Sequence, residues 1–152
     1  TAMSYATAQC LCGKTGISAP NLGDSIGACH CVMCRTWSGG PMLGVDGGEG
    51  LILENEAHIS VYKSSEWAER GFCNVCGTHL FYRLKDNDKY YIPVGLFADS
   101  DKFHFDEQIY VEQKPHYYDF ANKTKMMTGD EVVSEFEEQS AEKTPDDLKS
   151  YP

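Results

Sequence analysis

The chain has 152 residues, enough for one domain whose core needs no disulfide support. Its 13 basic and 23 acidic residues give a net charge of −10, which opposes binding to nucleic-acid phosphates and to anionic membrane surfaces. The longest apolar run, YYIPVGLFA at residues 90–98, is about half of the roughly 20 residues a membrane-spanning helix needs, and no basic start precedes an apolar leader. The expectation is a cytoplasmic protein with no nucleic-acid or membrane partner, monomeric or a homodimer.

In chain order, CLC (residues 10–12) is followed by the turn-forming PNLGDS (20–25), then by CHCVMC (29–34). One helical turn is expected at 32–38, and Gly39-Gly40-Pro41 reads as a turn after it. DGGEG (46–50) and KDNDK (85–89) are further turns, while HISVYKS (58–64) alternates as a half-buried strand does. THLFYRL (78–84), KYYIPVGLF (89–97) and QIYVEQ (108–113) are rich in β-branched and aromatic residues and read as strands. With no sustained 3.6-residue apolar period, the class is mainly β. Residues 5–127 form the domain. Residues 128–152 carry −6 of the −10 and read as an acidic, partly disordered extension, with EVVSEFEEQ (131–139) as an edge strand or a short helix.

All seven cysteines fall in short clusters, which in a reducing compartment indicates metal ligands rather than disulfides. Zinc takes thiolate in tetrahedral sites, and structural sites draw two ligand pairs from separate parts of the chain. Cys10 and Cys12, two apart, share a face on an extended strand, and the C-x-x-C-G of Cys73, Cys76 and Gly77 fits a knuckle in which Gly77 takes a positive φ. Together these four make a closed site. Cys29, Cys31 and Cys34 remain, and three ligands with a vacancy is a catalytic arrangement. A histidine closing that site (His30, His79, His104 or His116) is the alternative, and spacing alone also permits other pairings of the clusters. Three thiolates leave zinc a weak Lewis acid for activating water, so an exogenous thiol is the natural fourth ligand.

At CLCG, CHCVMCRTWSG, YKSSEWAERGFCNVCGTHLFYR and IYVEQKPHYYDF the chain resembles the family of glutathione-dependent formaldehyde-activating enzymes and centromere protein V. The resemblance implies several small antiparallel sheets organised around a structural zinc at Cys10, Cys12, Cys73 and Cys76. It also implies a second, functional zinc at Cys29, Cys31 and Cys34, making two per chain. The implied reaction is reversible addition of glutathione to formaldehyde, a carbon–sulfur lyase chemistry, so a small thiol and a small aldehyde are the expected partners. Thr36 stands where many members carry lysine, and KPHYY replaces their KP-x-W.

Substrate contacts are expected from Arg35, beside Cys34, from Trp37, from His30 and from Lys114, since glutathione's carboxylates call for cationic or amide donors. His30 or Tyr82 is a candidate proton carrier. Arg70 and Lys63 are further possible cations for the substrate, each read first as an ordinary surface charge. A zinc module without catalytic activity is the competing function, and nucleic-acid binding is disfavoured by charge.

Overall fold

The computed structural model describes residues 6–139. Its strands are β1 (Ala6–Gln9), β2 (Gly16–Ala19), β3 (Ser25–Cys29), β4 (Met42–Asp46), β5 (Ile52–Glu54) and β6 (Ile59–Tyr62). They continue as β7 (Ala68–Cys73), β8 (His79–Leu84), β9 (Lys89–Pro93), β10 (His104–Ile109) and β11 (Lys125–Met127). Two helices, α1 (Val32–Ser38) and α2 (Gly129–Gln139), complete the set with three short 3-10 turns.

The mainly β class holds. The strands divide into a three-stranded antiparallel sheet, β1-β2-β5, and an eight-stranded sheet in the order β11-β10-β3-β4-β9-β8-β7-β6. Two pairings in the larger sheet are parallel, β10 with β3 and β10 with β11. Periodicity cannot reveal these, because pairing direction depends on the connection and not on the strand's own sequence. Residues 108–113, expected as a strand, contribute only their first two to β10. Tyr110 adopts φ 55°, in the left-handed region, and the chain passes into a 3-10 turn over Val111–Gln113. The segment 131–139 is helical, as part of α2. The expected disorder at 140–152 lies outside the described residues. Among the described residues, no helix is long and apolar enough to cross a membrane.

The core lies between the sheets. β1 alternates, burying Ala6 and Ala8 and exposing Thr7 and Gln9, whereas β2 is covered on both faces. Ala8, Ile17, Leu22, Val45, Leu80 and Ile92 are fully buried in one cluster that also takes in Cys10 and Cys73. Burying each large aliphatic side chain contributes about 1.5–3 kcal/mol. A bridge from Ala8 to Phe97 ties the small sheet to the connection after β9.

In β7, Gly71 lies directly opposite Phe81 of β8, and the Phe81 ring covers it. A Cβ there would stand 2.2 Å from Phe81 Cε2 and Cζ, and Phe81 is only 1% exposed and cannot swing away. Gly71→Ala is therefore expected to destabilise the fold by about 2 kcal/mol or more, the scale of overpacking in a tight core, read as a lower urea midpoint.

Candidate functional site

The four-cysteine centre forms where the small sheet meets the large one. β1 ends at Gln9, and Cys10 and Cys12 follow in a turn, not on the extended strand that their spacing suggested. Two knuckles of similar construction face each other. In one, Cys10 N–H donates to the Thr15 carbonyl (3.1 Å) and Gly13 N–H to the Cys10 carbonyl (3.1 Å). In the other, Cys73 N–H donates to the Thr78 carbonyl (2.9 Å) and Gly77 N–H to the Cys73 carbonyl (2.8 Å). Gly13 and Gly77 sit at φ 80° and 82°, which explains the glycine after each cysteine pair. Thr78 joins the knuckles: its hydroxyl accepts from Leu11 N–H (3.1 Å) and lies 3.1 Å from Cys76 Sγ, to which it can donate.

The four sulfurs lie within 4.8 Å of one another, with Cys10 Sγ to Cys12 Sγ at 3.6 Å and Cys12 Sγ to Cys73 Sγ at 3.7 Å. A tetrahedron of zinc–sulfur bonds of about 2.3 Å has sulfur–sulfur edges of about 3.8 Å, whereas a disulfide requires about 2.05 Å. The sulfur-only donor set and its spacing fit a tetrahedral zinc, and all seven cysteines are free of disulfides. Cys10 and Cys73 are buried and Cys12 and Cys76 exposed, so the centre closes the core at its rim.

Cys29, Cys31 and Cys34 form a second group, again with sulfurs within 4.8 Å of one another. Cys29 ends β3, and Cys31 caps α1, its sulfur accepting from Cys34 N–H at 3.3 Å. The first turn of α1 then brings Cys34 back beside Cys31, and the helix ends at Gly39. Among the described residues no histidine, aspartate or glutamate joins this group, so the candidates His79, His104 and His116 stand apart from it. The three thiols compete for protons. Cys29 and Cys34 direct their thiols at the Cys31 sulfur, which together with the Cys34 N–H and the charge of Arg70 holds Cys31 well below its ordinary value. Cys29 is correspondingly pushed far up, first by its contact with Cys31, then by Cys34 and burial. A metal ion, which takes all its thiol ligands as thiolates, would displace these protons.

His30, between two members of the group, lies behind it. It is fully buried, with Nδ1 2.8 Å from Tyr118 Oη and Nε2 2.8 Å from Gln108 Oε1. Gln108 is oriented in turn by donating to Thr124 Oγ1 at 2.9 Å. With Gln108 as acceptor, Nε2 carries the proton and Tyr118 donates to Nδ1. Both nitrogens are used within the protein. Arg35 Nε donates to the His30 carbonyl (2.9 Å), and Lys114 is held by Asp119 (2.6 Å) and the Tyr118 carbonyl (2.6 Å). Trp37 projects from α1 into an aromatic stack, 6.1 Å from Tyr62 and nearly parallel, with His79 and Phe72 edge-on.

Arg70 departs most from expectation. It is not a surface charge: it is 1% exposed, and Nη2 donates to Cys34 Sγ at 3.6 Å. Its guanidinium lies 4.9 Å over the Tyr82 ring and 6.0 Å from the Trp37 ring. Burial pushes the Tyr82 hydroxyl well above its usual range, so that group stays protonated. Tyr110 is a residue that the sequence did not single out. Its backbone is in the left-handed region, and its hydroxyl is raised first by burial and then by the charges of Cys29 and Cys31. For Arg70 a weak signal existed: it lies in the strand that delivers Cys73, on the face alternate to Gly71. For Tyr110 there was none.

His79 Nε2 donates to the Phe81 carbonyl at 3.0 Å, yet burial outweighs this and lowers its pKa from 6.5 to about 4. The unfolded chain takes up a proton near pH 6.5 that the folded chain refuses until about pH 4. His79 thus contributes stability above pH 6.5 that is lost as the pH falls to 4, up to about 3 kcal/mol. Relative to His79→Phe, the wild type should lose that much between pH 7 and 4 in urea unfolding.

A β protein with one closed four-thiol centre and one three-thiol centre is thus defined. The sequence profile described as glutathione-dependent formaldehyde-activating enzyme matches residues 5–113, and the chain belongs to that family. A Schizosaccharomyces pombe protein named as an uncharacterized lyase is 35% identical over 126 residues, covering 82% of this chain and 92% of that protein. The crystal structure of a Rhodobacter sphaeroides protein shares the fold at a TM-score of 0.54 and 18% identity, covering 67% of this chain and 98% of that one. Membership supports an enzyme of the formaldehyde-activating type, with two cysteine groups able to bind metal.

Proposed function

We propose that the protein is a zinc-dependent carbon–sulfur lyase that forms and cleaves the adduct of a small aldehyde with glutathione or a similar thiol, S-hydroxymethylglutathione being the adduct of formaldehyde. The observation that carries this reading is the group Cys29, Cys31 and Cys34, close enough to hold one ion and joined by no fourth cysteine, histidine or carboxylate among the described residues. Zinc held by three thiolates supplies a position where an incoming thiol loses its proton easily.

In the forward direction the thiol sulfur bonds to the aldehyde carbon, the carbonyl π bond breaks, and the proton released by the thiol ends on the oxygen. This chain's residues set the stage. Arg70 offsets thiolate charge beside Cys34, Tyr82 keeps its proton beneath the guanidinium, and Trp37 helps to exclude water from that side. Arg35 fixes the His30 carbonyl between two ligands, and the Gln108–His30–Tyr118 chain holds the segment that carries Cys29 and Cys31. Arg35 is the cation of this segment open to a carboxylate of the thiol, and Lys114 would have to exchange its Asp119 partner for one. The clustered free thiols suit a reducing compartment such as the cytoplasm.

NMR exchange spectroscopy of formaldehyde with glutathione tests the reading. Fully metallated protein should accelerate exchange above the spontaneous rate at equal thiol concentration. No acceleration would remove this reaction as the function and leave the non-catalytic zinc module.

A further inference from the structure

A buried arginine keeps its charge, and a buried charge without a partner is strongly destabilising. Among the described residues no carboxylate forms an ion pair with Arg70, which is 1% exposed. Its protein partners are Cys34 Sγ and the faces of Tyr82 and Trp37. Its negative counterpart is therefore the thiolate group itself. The guanidinium is only half used, since Nη1 is buried and has no partner. Trp37 Nε1, in the same stack, is likewise buried and unpaired. An unsatisfied donor on a guanidinium that touches Cys34 Sγ costs stability when it has no acceptor and gains it when one arrives.

We propose that Arg70 makes the three-cysteine site selective for an anionic ligand atom, with Nη1 donating to the thiolate sulfur or adduct oxyanion that occupies the site. Three thiolates and a divalent ion carry a formal −1, which Arg70 brings to zero before any ligand binds. A fourth, anionic ligand then leaves −1 in a buried setting, where without Arg70 it would leave −2. A neutral ligand gains nothing comparable from the guanidinium. Trp37 supports the role as the aromatic wall beside the guanidinium. The proposal deepens the function proposed above and rests on its open site.

The test uses the full chain with cobalt at both centres, whose absorption bands report binding without catalysis. Wild type is titrated at one pH with 2-mercaptoethanol, which binds as thiolate, and with imidazole, which binds neutral. Arg70→Met is expected to weaken thiol binding by about tenfold or more, the scale of a hydrogen bond to a charged group, and to leave imidazole affinity within about twofold. Equal weakening of both ligands would assign Arg70 a merely structural role and overturn the proposal, as would unchanged thiol affinity. Arg70→Lys keeps the charge and serves if the methionine variant fails to fold. It should bind the thiol severalfold more weakly than wild type while keeping imidazole affinity; wild-type thiol affinity in that variant would overturn the role of Nη1. A wild-type spectrum that no ligand perturbs would instead refute the open site, and the proposal with it.

Discussion

Cys73→Ser is expected to unfold the protein at ambient temperature and to reduce its metal content by one equivalent. Cys73 is fully buried, belongs to the hydrophobic cluster, and meets Cys12 across 61 residues of chain. An ion at this centre would join the end of β1, in the small sheet, to the β7–β8 hairpin of the large one. A structural zinc contributes on the order of 10 kcal/mol to folding, which is comparable to the entire stability of a domain this size. Serine supplies a hard, poorly coordinating oxygen and leaves a polar group in the core, so little of that contribution survives. Urea unfolding followed by tryptophan fluorescence should show no cooperative transition, or one at a much lower midpoint. A wild-type midpoint in protein lacking one metal would show that the four-cysteine centre does not hold the fold together.

Cys31→Ser is expected to do the opposite, removing activity while sparing the fold. Cys31 is partly exposed and caps α1 through its sulfur, which accepts from Cys34 N–H, and serine is among the best residues for that position. The helix should therefore survive and the urea midpoint shift little. The group would lose one of its three sulfurs. Changes to residues that merely support a ligand cost metal sites 10- to 100-fold, so loss of a ligand should lower thiol–aldehyde exchange by at least about a hundredfold. Exchange at the wild-type rate in this variant, with metal analysis confirming one equivalent lost, would place the chemistry elsewhere.

The contrast between these variants reflects what the sequence made legible. Spacing suggested the division of seven cysteines into four and three but left other pairings open, and the sulfur positions bring together Cys10, Cys12, Cys73 and Cys76 in one group and Cys29, Cys31 and Cys34 in another. The glycines after Cys12 and Cys76 are readable as positions of positive φ. The mainly β class follows from short apolar runs between turn residues. Other features were hidden by their dependence on distant parts of the chain. The parallel pairing of β10 with β3 is set by how the long segment after β9 crosses the molecule. Tyr110 occupies a stretch of good strand-forming residues, and only the turn that carries the chain past the three-cysteine site forces its backbone out of the β region. Arg70 lies in an alternating strand where a charge would ordinarily face solvent. Its burial makes sense only once Cys34, Trp37 and Tyr82 are seen to converge on it, and Cys34, whose sulfur it contacts, is 36 residues away in sequence.

The proposed function requires one centre closed by the protein and another left for a thiol. Zinc K-edge X-ray absorption on protein prepared without oxygen or chelator, with total zinc measured on the same sample, addresses it directly. Two zinc ions per chain are predicted, with a mean of fewer than four sulfurs per zinc that rises toward four when glutathione is added. One zinc per chain, or a sulfur shell that glutathione leaves unchanged, would contradict the account.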